Sequence, residues 1–102
     1  MGFFGPDEKL NDPIAFSVTS GATTPYPLGK VSAFRVVRGS TSAGKVGFLA
    51  RQETSSESAA AGYELSSDSP DSGWIFADAP THLLIAAVGG NVAGQIWTMS
   101  RL

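Results

Sequence analysis

The sequence predicts an all-β fold, a small antiparallel β-sandwich or barrel of six to seven short strands, jelly-roll or Ig-like in type. Three observations carry that expectation. Apolar and polar residues alternate at period two in several runs, as in Ile14, Phe16 and Val18 against Ala15, Ser17 and Thr19. Turn formers interrupt the chain at short intervals, with 12 glycines and 6 prolines. No stretch of about twelve residues holds a 3.6-residue apolar period, which argues against helices.

The strands follow in chain order. Ile14–Ser20 is the first. Gly21–Gly29 reads as a loop, because Pro25 and Pro27 flank Tyr26 and bar a helix. Val31–Arg38 is the second strand. Phe34 and Val36 share a face with Ser32 and Arg38, while Val31, Ala33, Arg35 and Val37 share the other, so apolar atoms on both faces make it central. Gly39–Gly44 is a polar turn, and Lys45–Arg51 is the third strand, with Val46, Phe48 and Ala50 on one face. The second and third strands form a hairpin candidate. Gln52–Ala61 has no apolar stripe and reads as an exposed loop. Tyr63–Ser66 is a short strand, Ser67–Gly73 a turn, and Trp74–Ala77, Thr81–Val88 and Gly94–Ser100 complete the set. The expected core between two sheets is Phe16, Phe34, Val36, Phe48, Ile75, Leu84 and Ile96.

Residues 1–13 read as an N-terminal arm, and 14–102 as a single β-sandwich domain. Gly2, Gly5, Pro6 and Pro13 prevent a long regular element in the arm, and Asp7, Glu8 and Lys9 are expected in solvent. Phe3 and Phe4 are the exception. They either fold back onto their own domain or dock on a neighbouring subunit, and they are the partner-docking candidates.

Length and charge bound the rest. A chain of 102 residues fits one domain. Charged residues are 16%, against an average of about 25%, so much of the surface is neutral and readily buried against a partner. A net charge of −2 provides no basic footprint for nucleic acid. There is no cysteine, which excludes disulfides and thiolate metal sites. No apolar run reaches the length of a transmembrane helix, and the start lacks the pattern of a signal peptide. Met1-Gly2 opens like a myristoylation signal, but Pro6 stands where Ser or Thr is needed.

Each motif with a chemical reading has a simpler one. Gly39-Ser-Thr-Ser-Ala-Gly44-Lys45 has phosphate-loop spacing, but Val46 replaces the Ser or Thr that would hold magnesium, and a strand follows where a helix should open. Gly89–Gly94 follows a strand and precedes another, so its glycines serve a turn. His82 is the only histidine; with Asp78 and the many serines it permits an imagined triad, yet no nucleophile motif marks one. Asp68 and Asp71, with Ser67, Ser69 and Ser72, offer oxygens to calcium without the spacing of a calcium loop. No catalytic, cofactor or metal residue is therefore assigned. Trp74, Trp97, Tyr26 and Tyr63 suit either a sugar-stacking platform or, as aromatics in strands more often do, the core.

A resemblance supplies the functional expectation. Trp74–Leu102 places a strand before Asp78-Ala79-Pro80, then Leu83-Leu84-Ile85-Ala86, a Gly/Asn turn, and the closing strand Gln95-Ile96-Trp97-Thr98. With Phe34-Arg35-Val36-Val37 and Val46-Gly47-Phe48-Leu49-Ala50, this resembles the small virion structural proteins of tailed bacteriophages, among them head decoration or fibre proteins and tail-associated β-domains. The resemblance implies a non-enzymatic capsid decoration or stabilising protein, located in the virion. It would be a homo-oligomer that contacts the major capsid or other virion proteins, and neither nucleic acid nor membrane. The alternative is a carbohydrate- or receptor-binding β-sandwich domain of a phage tail.

Overall fold

The Leu83–Ala87 run sets the architecture, since all five residues are buried and a strand shielded on both faces must lie inside a sheet. The computed structural model describes residues 8–51, 62–76 and 82–101. Among these are nine strands: β1 (Glu8–Leu10), β2 (Ile14–Val18), β3 (Thr23–Pro27), β4 (Ala33–Arg38), β5 (Lys45–Arg51), β6 (Tyr63–Leu65), β7 (Ile75–Phe76), β8 (His82–Val88) and β9 (Val92–Arg101). They form two antiparallel sheets. One has the order β1-β9-β4-β7, with β2 also paired to β9, and the other has the order β3-β8-β5-β6. The all-β class and the two-layer arrangement are as expected, and compatible with a β-sandwich.

The alternation in each strand decides what lies between the layers. From the first sheet come Phe16, Val18, Phe34, Val36, Val92 and Ile96; from the second, Val46, Phe48, Leu65, Leu83, Ile85 and Ala87. Phe34 and Phe48 meet edge to face across the layers, with ring centres 6.3 Å apart and planes at 89°. Tyr26 bridges the β2–β3 margin. Its hydroxyl accepts the Ser17 N–H at 3.1 Å and donates to the Ser17 carbonyl at 3.2 Å, while its ring meets Phe16 edge-on.

Four expectations need correction. Leu84 is buried, but on the outer face of β8 with Ala86 and Leu49; Leu83 and Ile85 hold the inter-sheet positions instead. An unbroken apolar run has no period-two signal to choose between the two parities. Gly21–Gly29 is not all loop, since β3 pairs with β8 from Thr23 to Pro27. Prolines cannot donate to a ladder, so they are tolerated here because β3 is an edge strand and both share the outward parity. The strand count is nine rather than six or seven, with β1 pairing to β9 inside the segment read as an arm. Finally, β4 and β5 are not a hairpin, because they lie in different sheets.

The hydrogen bonds of the Gly39–Gly44 link account for that last difference. Ala43 and Gly44 donate their N–H groups to the Asn91 carbonyl at 2.9 and 3.2 Å, and Gly39 donates to the Ala93 carbonyl at 2.7 Å. The Ser42 hydroxyl donates to the Ala93 carbonyl and accepts the Ala93 N–H. The link makes one turn bond of its own, from the Ser42 N–H to the Gly39 carbonyl at 3.1 Å, and is otherwise tied to the β8–β9 turn and the start of β9. The Asn91 side chain also takes the Ser20 N–H at 2.9 Å, joining three connections at one end of the body. A Cβ on Gly44 would fall 2.6 Å from the Val88 carbonyl, so close backbone approach requires glycine there.

Candidate functional site

The motifs with chemical readings are placed in structural surroundings. Lys45 opens β5 and its ammonium lies 3.5 Å from Glu64 on the exposed face of the second sheet. The loop before it leads into a strand, with Ala43 and Gly44 already donating to Asn91. His82 begins β8, half-buried, opposite Arg51 and Pro27 in the ladders on either side. Asp78 lies outside the described residues, as do Phe3, Phe4 and the Gln52–Ala61 segment. Of the two carboxylates considered for calcium, Asp71 is ion-paired with Arg35 and also accepts the Gly73 N–H at 2.8 Å. The hydrogen bond from Arg35 holds the Asp71 carboxyl below the usual carboxylate range, and the same bond raises the Arg35 guanidinium. Asp68 sits in the exposed turn before it. Among the described residues no group of three His, Asp or Glu side chains converges.

The four aromatic candidates separate. Tyr26 is half-buried and bonded to Ser17, so its ring is part of the packing. Trp74 and Trp97 are half-buried. Tyr63 is 72% exposed although it points to the inner side of its sheet, because β6 is the margin strand and leaves the layers open there. One face of its ring stacks on Phe48, 5.6 Å between centres and 28° between planes. Phe34, Phe48 and Tyr63 therefore make a line of rings from the core to solvent.

The larger feature is the outer face of the sheet containing β9. Directly opposed residues in an antiparallel ladder share a face. Leu10 opposes Met99, Met99 opposes Ala33, and Ala33 opposes Phe76. One apolar row therefore crosses the sheet from β1 to β7. Met99 and Ala33, in its middle, are buried, while the ends are exposed: Leu10 at 46% and Phe76 at 72%. The next row holds Trp97 opposite Arg35, and the one after it Gln95 opposite Val37. The one ion pair described on this face, Arg35 with Asp71, compensates itself.

Sequence reasoning did not single out Leu10, Phe76 or Met99. The signal was present in part: Ala33, Arg35 and Val37 had been placed on the face opposite Phe34. What was missing was the register that aligns β1, β9, β4 and β7, which depends on strands far apart in sequence. No protein-family model, curated protein or solved structure matches this chain.

Proposed function

We propose that the chain is a non-enzymatic structural component of a virion, a capsid decoration or stabilising protein that works as a homo-oligomer in many copies. One observation carries this reading: the strand order. The sheets run β2-β9-β4-β7 and β3-β8-β5-β6, and from β2 onward every link except β5–β6 passes from one sheet to the other. We read that wiring as an eight-stranded jelly roll with β1 as an added edge strand. Jelly rolls are frequent in viral capsid and lectin domains. A fold alone does not fix a function. The exposed apolar side chains Leu10 and Phe76 and the likeness of Trp74–Leu102 to small phage virion proteins tip the choice toward assembly. Many copies convert weak contacts into firm attachment through effective concentration.

The test is particle composition. Particles purified on a density gradient from a lysate carrying this gene should contain the chain in multiple copies, as quantified by mass spectrometry. Particles free of it would end this reading.

The exposed Tyr63 ring favours a second reading, a carbohydrate- or receptor-binding domain of a phage tail. A ring fixed on one face by Phe48 and open on the other is a suitable platform for a sugar. Glycan-array binding abolished by Tyr63→Ala would make this the better account; no binding to any glycan would remove it.

A further inference from the structure

We infer that residues 70–73 form a strap along the edge of β4, that the ion pair of Arg35 with Asp71 latches it, and that acid releases the strap before the body unfolds. This is a property of the single chain and does not rest on the multi-copy reading.

The strap stands where a neighbouring strand would. β7 covers only the start of β4, through Ala33 and Phe34. Further along, the Pro70 carbonyl accepts the Arg38 N–H at 2.7 Å, and Ser72 donates its N–H to the Val36 carbonyl at 2.9 Å. The Val36 N–H meets the Ser72 hydroxyl at 2.9 Å, where a ladder would supply a carbonyl. Gly73, at φ 69°, then turns the chain toward β7. Pro70, Asp71 and Gly73 are exposed and Ser72 is half-buried, so the strap places no side chain in the core. The chain is anchored there on either side, by Leu65 on β6 and Ile75 on β7. A segment held by polar bonds, with no apolar burial of its own, belongs to the low end of local stability.

The latch is the Asp71 carboxylate. One oxygen accepts Arg35 Nε–H at 2.8 Å and the other accepts from Nη2, a bidentate pairing. The first oxygen also accepts the Gly73 N–H at 2.8 Å, so the carboxylate ties the strap's own turn as well as β4. Other charges nearby do not share this contact. Arg38, the next cation on β4, is turned to the Ser42 and Gly44 carbonyls. β9 places Trp97 opposite Arg35, β7 contributes Phe76, and Asp68 stands in the exposed turn before the strap.

The direction of the pH effect follows. The Arg35 hydrogen bond holds the Asp71 carboxyl below the usual carboxylate range. Its stabilisation is complete above the ordinary aspartate value of about 3.9, and it is lost as pH falls through the lowered value. Release leaves the Val36 and Arg38 N–H groups and the Val36 carbonyl without these partners. That is an open edge, onto which another strand could pair.

Amide hydrogen exchange on the full chain, read by NMR, tests the inference. The variant is Asp71→Asn, an exposed replacement of the same size that can still accept the Gly73 N–H. At pH 5 it should exchange the Val36, Arg38 and Ser72 amides about 5-fold faster than the parent, the upper end for an exposed pair. The Ile96 amide, in the middle of β9, should exchange as before. As pH falls below the ordinary aspartate value the difference should shrink to nothing, because both side chains are then neutral. Asp68→Asn, in the same turn but outside the pair, should leave all four amides unchanged. No acceleration at pH 5 would show that the pair latches nothing. Equal acceleration of Ile96 would show that the strap opens only with the whole body. A difference that persists in acid, or an equal effect of Asp68→Asn, would show that the Arg35–Asp71 charge pair is not the cause. Any one of these results overturns the inference.

Discussion

Phe34 and Phe48 meet from two sheets; their burial was legible from alternation alone, their meeting across the layers was not, because their strands were expected to form one hairpin. Both residues stand at period two with smaller apolar neighbours, Val36 and Val46, so their inward direction could be read without any knowledge of pairing. Each is about 2% exposed, and truncation to alanine should cost about 3–5 kcal/mol in urea unfolding. Because the rings touch edge to face, the double variant should lose less than the sum, with a coupling of about 0.5–1.5 kcal/mol. Strict additivity would show that the rings do not interact. Gly94 illustrates the opposite case. It was grouped with turn glycines, yet it lies inside β9, opposite Phe16 on one side and Arg38 on the other. A Cβ there would fall 2.7 Å from the Phe16 ring and closer still to the Val37 carbonyl. Gly94→Ala should therefore destabilise by about 1–3 kcal/mol or more through overpacking, whereas Gly21→Ala, with open space around it, should act only through its backbone angle. Equal melts for Gly94→Ala and the parent would sink that account. Nothing in the local sequence separates these two glycines; only the neighbouring strands do.

At the scale of elements, β2 and β4 through β9 were readable to within a residue or two, whereas β1 and β3 were missed, for different reasons. β3 was hidden by Pro25 and Pro27, which exclude a helix but exclude a strand only in a sheet interior. β1 is three residues long and pairs with the far end of the chain, so it carries no local pattern. The β4–β5 connection was misjudged because a polar, glycine-bounded link looks the same whether it turns back in one sheet or crosses to another. The prolines of β3 also have a use. An exposed edge strand invites pairing with another chain, and proline removes the donors that such pairing needs. The double variant Pro25→Thr, Pro27→Thr should fold with little change in melting temperature yet aggregate faster on warming, followed by light scattering. Unchanged scattering would mean that this margin needs no protection.

For the whole molecule, composition and turn spacing were enough to reach two layers of β-structure, and no local signal reached the wiring. Strand order is set by pairings such as β2 with β9 and β1 with β9, which join positions more than seventy residues apart. The apolar row on the outer face depends on those same pairings, so the candidate site was invisible for the reason that the topology was. The arrangement also has a consequence in time. β9 lies at the centre of its sheet, between β1 and β2 on one side and β4 on the other, and it is the last of these strands to be synthesised. While a ribosome is still working, β2 and β4 have no partner between them, although the other sheet already has all four of its strands. A nascent chain arrested before Val92 should therefore be cut readily by protease. One carried past Arg101 and clear of the exit tunnel should become resistant, over the milliseconds to seconds typical of folds dominated by distant pairings. Resistance arising before β9 emerges would show that the half-built body stands on its own. Otherwise the cell meets this protein first as a set of waiting edges, which the last strand closes.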